Sequence, residues 1–456
     1  MTELFTPPYP IPHRSKSSLF RRFLSGWDSW IHTLFERSYT MKMGDIRLPR
    51  LDFFIANDPP IVEAVMEDKA GIYPKHAFLK ELLDPLIGNS VFSANGEDWR
   101  HQREMVNPSF QHTALKRVFP VMRAAVDDLA AKLAAMDLSK PVHIDPLMTH
   151  IAADIIFRTL FSVKLDDEGA ERIYTSFHRF QEQVQPAAML RLYGLPLFGY
   201  RKRAIRHAAA IHAVFRPIVE RRHAAYHAGM KGQPEDILAS LLEARHPVTA
   251  APFSVDELME QISTIFLAGH ETAASSMTWA LYLLGECRDW QDACRGEIAA
   301  QVGPDGTTFE DTRALPLTRN VWQETLRLYP PVSFFLRAVT RDTTMRGKRM
   351  KKGAMLVISP WLIQRNSNHW KCPHAFDPER FSRPEDKEAC RHAFMPFGKG
   401  PRVCIGAGFA NQEGVLVIAE MLRRFRFTAL PHDKPQPVSR LTLRPKHGAR
   451  LMVEAL

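Results

Sequence analysis

The chain has 456 residues, 45% of them hydrophobic and 24% charged, with a net charge of +10. Its basic residues are interleaved with acidic ones and carry no nucleic-acid motif, which argues against a nucleic-acid partner. Five scattered cysteines (Cys287, Cys294, Cys372, Cys390, Cys404) without CxxC spacing exclude a disulfide framework or a zinc site and fit a reducing compartment.

No linker, low-complexity tract or repeat interrupts the text, so one body over residues 1–456 is expected, with 1–43 as an N-terminal extension. The N-terminus lacks both a 20-residue apolar run and a signal-peptide h-region, so no transmembrane anchor is expected. Leu19 to Phe35 is nonetheless amphipathic and basic, with Phe20, Phe23, Leu24, Trp27 and Trp30 beside Arg21 and Arg22. Such a stripe either packs on its own domain or makes a peripheral membrane contact.

Gly44 to Ala56 reads as short strands around Phe53-Phe54-Ile55. Asp58-Pro59-Pro60 opens a helix through Met66, since proline suits a first turn. Lys75 to Gly96 reads as irregular and apolar, and helices dominate from Trp99 to Gln301. Trp99 and Arg103 stand four apart on one helix face, where an indole N–H and a guanidinium suit the carboxylates of an anionic cofactor. His207 and His212 have no metal-ligand spacing and read as helix surface.

Ser254-Val255-Asp256-Glu257 is a capping box, and helical text runs on to about Glu286, about 48 Å at the helical rise. Its middle is Ala268-Gly269-His270-Glu271-Thr272. Small residues there permit close approach of a flat cofactor and a substrate. Thr272 can turn its hydroxyl to the Ala268 carbonyl and bend the helix, opening a groove for dioxygen and water. With Glu271 beside it, the hydroxyl makes a proton relay. The plainer alternative is a helix–helix contact at Gly269 and a surface threonine.

Glu324 and Arg327 share a helix face, and Trp322, Leu326, Leu328 and Tyr329 around them predict burial. A buried pair needs further partners, and Arg380 is a candidate. Arg337 to Ile358 reads as strands turning near Gly347 and Gly353, followed by proline-rich coil to Phe397. A last helix runs from about Gly408 to Arg424, and Leu441 to Val453 reads as a hairpin turning near Lys446-His447-Gly448.

Phe397-Gly398-Lys399-Gly400-Pro401-Arg402-Val403-Cys404-Ile405-Gly406 sets one cysteine among glycines, behind an aromatic and an arginine. The glycines leave room for a large flat cofactor and let backbone N–H groups approach the sulfur. A thiolate on haem iron pushes electron density toward dioxygen and favours O–O cleavage. A loop with a buried structural cysteine is the alternative for this segment alone.

Phe397, Gly400, Arg402, Cys404 and Gly406 match at every position the fingerprint of the cytochrome P-450 family, and Ala268 to Thr272 matches its small–Gly–any–acid–Thr pattern. The chain resembles these haem-thiolate monooxygenases from Trp99 through the cysteine loop and beyond; Gln364-Arg365-Asn366 departs from the more usual His-Arg-Asp. The resemblance implies a mainly α fold with a small β-sheet region, the long helix lying over haem b and the cysteine loop on its proximal side. It implies Cys404 as iron ligand, Trp99, Arg103, Arg337 and Arg402 on the propionates, and Ala268, Gly269 and Phe397 against the ring. Thr272 and Glu271 would relay protons, while Glu324, Arg327 and Arg380 would cluster in a structural role.

One atom of dioxygen would enter a C–H bond of a hydrophobic small molecule, and the other would leave as water. No flavin or Fe–S domain is fused, so electrons would come from a ferredoxin with an NAD(P)H-dependent reductase in the cytoplasm. Lys116, Arg117 and Lys399 would meet that acidic donor. The pocket would draw on Phe92, Phe266, Ala268, Val332 and Phe335. By analogy over Trp99 to Phe110 a fatty acid is favoured, with a terpene or steroid as alternatives. A peroxide-driven peroxygenase is a rival reading, against which Glu271 and Thr272 speak; a haem-binding sensor without turnover is another.

Overall fold

A computed structural model describes residues 4–14, 18–48, 51–164, 167–197 and 199–456. Most of this chain is helical, and its centre is the helix Val255–Glu286. Ser254 and Glu257 form the reciprocal cap there: each accepts the other's backbone N–H, at 3.3 and 2.8 Å. Beyond its first turn the helix is buried on nearly every side, as expected of a helix apolar all round. It packs along Ile144–Phe161, and also against Ala77–Ile87, Tyr200–His227, Pro316–Leu328 and Ala407–Arg424.

The β structure lies to one side. Met43–Leu48 and Leu51–Ala56 form an antiparallel hairpin, Met355–Ile358 runs parallel to its second strand, and Phe335–Ala338 closes the sheet antiparallel. This sheet presents Phe335, Leu336 and Arg337 to the central cavity.

Two segments differ from the sequence expectation. Lys75 to Gly96 is not irregular: Ala77–Ile87 is a helix, capped by the His76 ring on Phe78 N–H and ended by Gly88 at φ 48°. Pro85 inside it hid the pattern. Leu441 to Val453 is not a hairpin. Leu443–Pro445 pairs with Pro437–Ser439, whereas Arg450–Ala455 joins Phe425–Ala429 and Val142–His143 in a separate sheet. Two arms of one turn serve two sheets because each buries its apolar side on a different surface, a choice local text does not carry.

Helix Leu19–Asp28 rests on helix Asp167–Leu192: Gln185 donates to Gly26 O at 2.6 Å, and Phe23 meets Tyr193 edge to face. Phe20, Leu24 and Trp27 stay exposed, and the side chain of Leu19 lies outside the described residues. Among the described residues no helix is long and apolar enough to cross a membrane, and no His/Cys/Asp/Glu cluster could hold a metal ion. His207 is buried rather than on the surface, and His212 hydrogen-bonds Leu86 O.

Candidate active site

A cavity of about 470 Å³ opens between the long helix, the sheet and the cysteine loop. On one side lie Leu267, Ala268, Gly269, Thr272, Ala273 and Ser276 of the long helix. Thr272 Oγ1 donates to Ala268 O at 2.5 Å, the back-bond expected to loosen the helix at this point. The smallness of Gly269 has a second cause: a Cβ there would stand 3.0 Å from Ile156 Cδ1 on the neighbouring helix. The helix–helix contact and the cavity wall therefore both need this residue.

Across the cavity stands Cys404. Its N–H bonds Phe397 O at 2.9 Å and closes the loop. Gly400 adopts φ 69°, and a Cβ on it would lie 2.5 Å from Met66 O, so only glycine makes this turn. Cys404 is exposed to the cavity rather than to outside solvent, with Phe397, Arg402 and Ile405 lining the wall beside it. Burial raises its thiol pKa, while the Gly406 N–H, Arg103 and Lys75 favour the thiolate.

Four cations of the cavity lining converge on one rim, Lys75, Arg103, Arg337 and Arg402, and the Asp68 carboxylate, outside the lining, offsets part of the charge at Arg337 and Arg402. Burial, followed by the charges of Arg402 and Arg337, pushes the Lys75 ammonium well below its ordinary pKa. Burial takes Arg337 to about 10, and burial with the Arg337 charge takes Arg402 to about 10. Among the described residues the Arg337 guanidinium reaches the thioether of Met66 and the Leu336 carbonyl. Arg402 lies 4.1 Å over the Trp99 ring and donates to Ala94 O and Asn95; Arg103 donates to Val403 O. Such a rim calls for an anion with at least two carboxylates. A porphyrin with a thiolate below and two propionates at the edge fits the donor set.

Sequence reasoning missed Lys75. It sits just before the unrecognised helix, with Nζ 3.8 Å over the Phe92 ring and bonded to Phe92 O.

Glu324, Arg327 and Arg380 come together as expected, fully buried behind the cysteine loop. Glu324 takes Arg327 Nε at 2.6 Å and Nη2 at 2.8 Å, Arg380 Nε at 3.3 Å and Asp377 N at 2.9 Å. Arg327 also holds the carbonyls of Gln364, Pro373 and Ala375, and Arg380 those of Lys371 and Cys372. Gln364, the departure from the family pattern, ties the Leu326 and Arg327 carbonyls to Met395 N–H.

Several expected site residues lie elsewhere. Glu271 does not line the cavity. Arg444 donates to its Oε1 and Thr442 to its Oε2, both at 3.0 Å. Burial would raise its pKa, but Arg444, His270, Gln181 and Thr442 together hold it below the ordinary carboxylate value. Phe266 faces away too, packed among Phe177, Phe215 and His270; two helical residues, about 200° of rotation, put it on the opposite face from Ala268. Phe92, Val332 and Phe335 do line the cavity. The basic residues expected to meet an electron donor each have an acidic neighbour: Lys116 has Glu310, Arg117 has Glu235, and Lys399 has Glu63.

Residues 29–453 match the family model described as "Cytochrome P450". Cyclooctatin synthase of Streptomyces melanosporofaciens is 29% identical over 404 residues, 88% of this chain and 86% of that protein. Cyclooctat-9-en-7-ol 5-monooxygenase of the same organism is 30% identical over 395 residues, covering 85% and 83%. 11-Oxo-beta-amyrin 30-oxidase of Glycyrrhiza uralensis is 28% identical, covering 83% and 75%. With the Thr272 back-bond, the cavity-facing cysteine and the carboxylate-seeking rim in place, the chain belongs to the cytochrome P450 family and is a haem b monooxygenase.

Proposed function

We propose that this monooxygenase hydroxylates an alicyclic terpenoid, with electrons from a separate ferredoxin-type protein and its NAD(P)H-dependent reductase in the cytoplasm. The observation that carries the substrate class is the wall above Ala268 and Thr272: Phe78, Leu83, Val91, Val332, Phe334 and Val357 enclose it with aromatic and branched aliphatic side chains. Two of the polar side chains in the lining, Thr264 and Lys80, are engaged with Ser90 and Asn89. Such a wall selects by shape and apolar area. Two relatives named above act by name on cyclooctatin-type and amyrin-type compounds, which agrees with this reading. The segment Trp99 to Phe110, which favoured a fatty acid, is occupied here with Arg402 and the cysteine loop, so it says nothing about an acyl chain.

Bound haem supplies the activation of dioxygen. Cys404 would ligate its iron through Sγ, with Phe397 shielding the sulfur, and Trp99, Arg103, Arg337, Arg402 and Lys75 would hold its propionates. Ala268 and Gly269 leave room for ring and substrate, and Thr272 keeps a hydroxyl at the groove. Glu324, Arg327 and Arg380 hold the coil that carries the cysteine loop.

The test has two parts. Cyclic diterpene and triterpene alcohols, matched with linear fatty acids, are screened for the spectral change on displacing iron-bound water, and products are sought with ferredoxin, reductase and NAD(P)H or with peroxide alone. Cyclic ligands should bind at lower concentration and turn over only with the electron donors. Tighter binding by linear acids, or product from peroxide alone, would overturn the reading. Cys404→Ser should lose the red-shifted carbon monoxide band of the reduced protein; a persisting band would remove Cys404 as ligand.

A further inference from the structure

The cavity has a second end, away from the rim of Lys75, Arg103, Arg337 and Arg402. It reaches helix Leu19–Asp28, where Arg22 and Phe35 line it together with Gln185, Met189 and Tyr193. This helix is a fixed wall. Ser18 Oγ accepts the Arg21 N–H at its start, Gln185 holds Gly26 O, and Ser29 Oγ accepts the Ser439 N–H at 2.8 Å just past its end.

The described lining is rich in cations and poor in anions. Its one carboxyl is Glu413, and burial pushes that pKa well above the carboxylate range. Two of the cations outside the rim have partners. Lys80 donates to Asn89 Oδ1 at 2.8 Å, and Arg440 gives Nε to Asp28 O and Nη2 to Asp28 Oδ1. Arg22 differs. Its Nε is out of contact with solvent and has no hydrogen-bond partner, and no carboxylate pairs with it, among the described residues. Asp28, the one acid of its own helix, is taken by Arg440 and Lys446.

The contact Arg22 does make orients it. Its guanidinium carbon stands 4.8 Å over the Phe35 ring. A ring beneath one face leaves the N–H edge of the planar fork free to meet two oxygens of one group. Burial raises the pKa of the Tyr193 phenol, and the Arg22 charge opposes that rise, so a second donor stands within its field. A half-buried cation without a counterion adds little to folding, but it is prepared for an anion brought by a ligand.

We propose that Arg22 is a substrate-specificity residue that receives a carboxylate, so that the compound hydroxylated is an alicyclic terpenoid acid rather than a neutral alcohol. The inference rests on the terpenoid reading above and adds a polar group to it. The apolar body lies against Phe78, Leu83, Val91 and Val332, and the carboxylate pairs with the Arg22 fork. A single guanidinium matches the one charge and two oxygens of a carboxylate, whereas a phosphate dianion would bring a second charge without a second cation. Anchoring one end also limits which ring carbons can lie beside Thr272.

Calorimetric and spectral titrations of the haem-loaded protein with abietic acid, methyl abietate and the matching primary alcohol test this. Wild type should bind the acid roughly ten-fold tighter than the ester or the alcohol at low salt, and the preference should shrink as salt rises. Arg22→Gln should erase the preference and leave ester and alcohol affinities within about two-fold of wild type. Arg22→Lys, which keeps the charge without the fork, should retain part of it. Equal affinities in wild type, or a preference that survives Arg22→Gln, would overturn the proposal. Loss of ester and alcohol binding along with the acid would mark Arg22 as structural and overturn it too. Palmitic acid and methyl palmitate run alongside. An Arg22-dependent preference for that acid, with no abietane compound bound, would sustain the role of Arg22 and overturn the terpenoid reading instead.

Discussion

Glu324→Gln probes the core beneath the cysteine loop. Glu324 is fully buried and accepts four hydrogen bonds, three of them from Arg327 and Arg380, which are themselves nearly without solvent contact. The neutral amide has the same shape but one acceptor oxygen, and its N–H groups point at guanidinium N–H groups. Two buried cations lose their anion. Breaking such a pair from one side costs about 3–5 kcal/mol. Unfolding entropy is about 2.1 cal/mol/K per residue, so for 456 residues ~4 kcal/mol lowers Tm by roughly 4 °C. The coil carbonyls of Pro373 and Ala375 hang on Arg327, so the variant should also release haem faster. Calorimetry of matched haem-loaded samples, with haem transfer to a scavenging apoprotein, measures both. A Tm within about 1 °C of wild type would show that solvent neutralises the cluster, and the burial argument would fail.

Thr272→Ala should keep haem and substrate binding yet divert reducing equivalents to peroxide; unchanged coupling would remove the hydroxyl from proton handling. Lys75→Met relieves a rim of four like charges, so the apo-protein should melt at the same or a higher temperature, while haem should leave roughly ten-fold faster for want of one charge-assisted bond; equal haem release would refute its role. His270 is buried, its Nδ1 has no partner among the described residues, and burial lowers its pKa to about 4, so the unfolded chain binds a proton there that the folded chain refuses. Stability from this group is present above about pH 6.5 and is lost at about 1.4 kcal/mol per pH unit as pH falls toward 4. His270→Phe should flatten that part of the stability–pH curve, and an unaltered slope would contradict the assignment.

What the text alone determined is what short-range chemistry determines. The cysteine loop is legible because its glycines answer to backbone geometry within ten residues, as the positive φ of Gly400 shows. The capping box at Ser254 and the Thr272 back-bond follow from spacings of three and four residues, and so does the Glu324–Arg327 pair. The helix start at Pro59 and the helix ends at Glu286 and Arg424 followed for the same reason, whereas Lys75–Gly96 and Leu441–Val453 did not.

Only the tertiary structure decided where side chains of similar pattern finally point. Glu271 and Thr272 are neighbours in sequence, yet successive helical residues diverge by about 100°, so one faces Arg444, 173 positions away, and the other faces the cavity. The same rotation hides Phe266 and exposes Ala268. Lys75 joins the arginine rim, and Glu413 Oε1 is left without a partner among the described residues, because packing brings together segments hundreds of residues apart. Desolvation and net charge at a point are sums over those distant neighbours, and no local spacing encodes them.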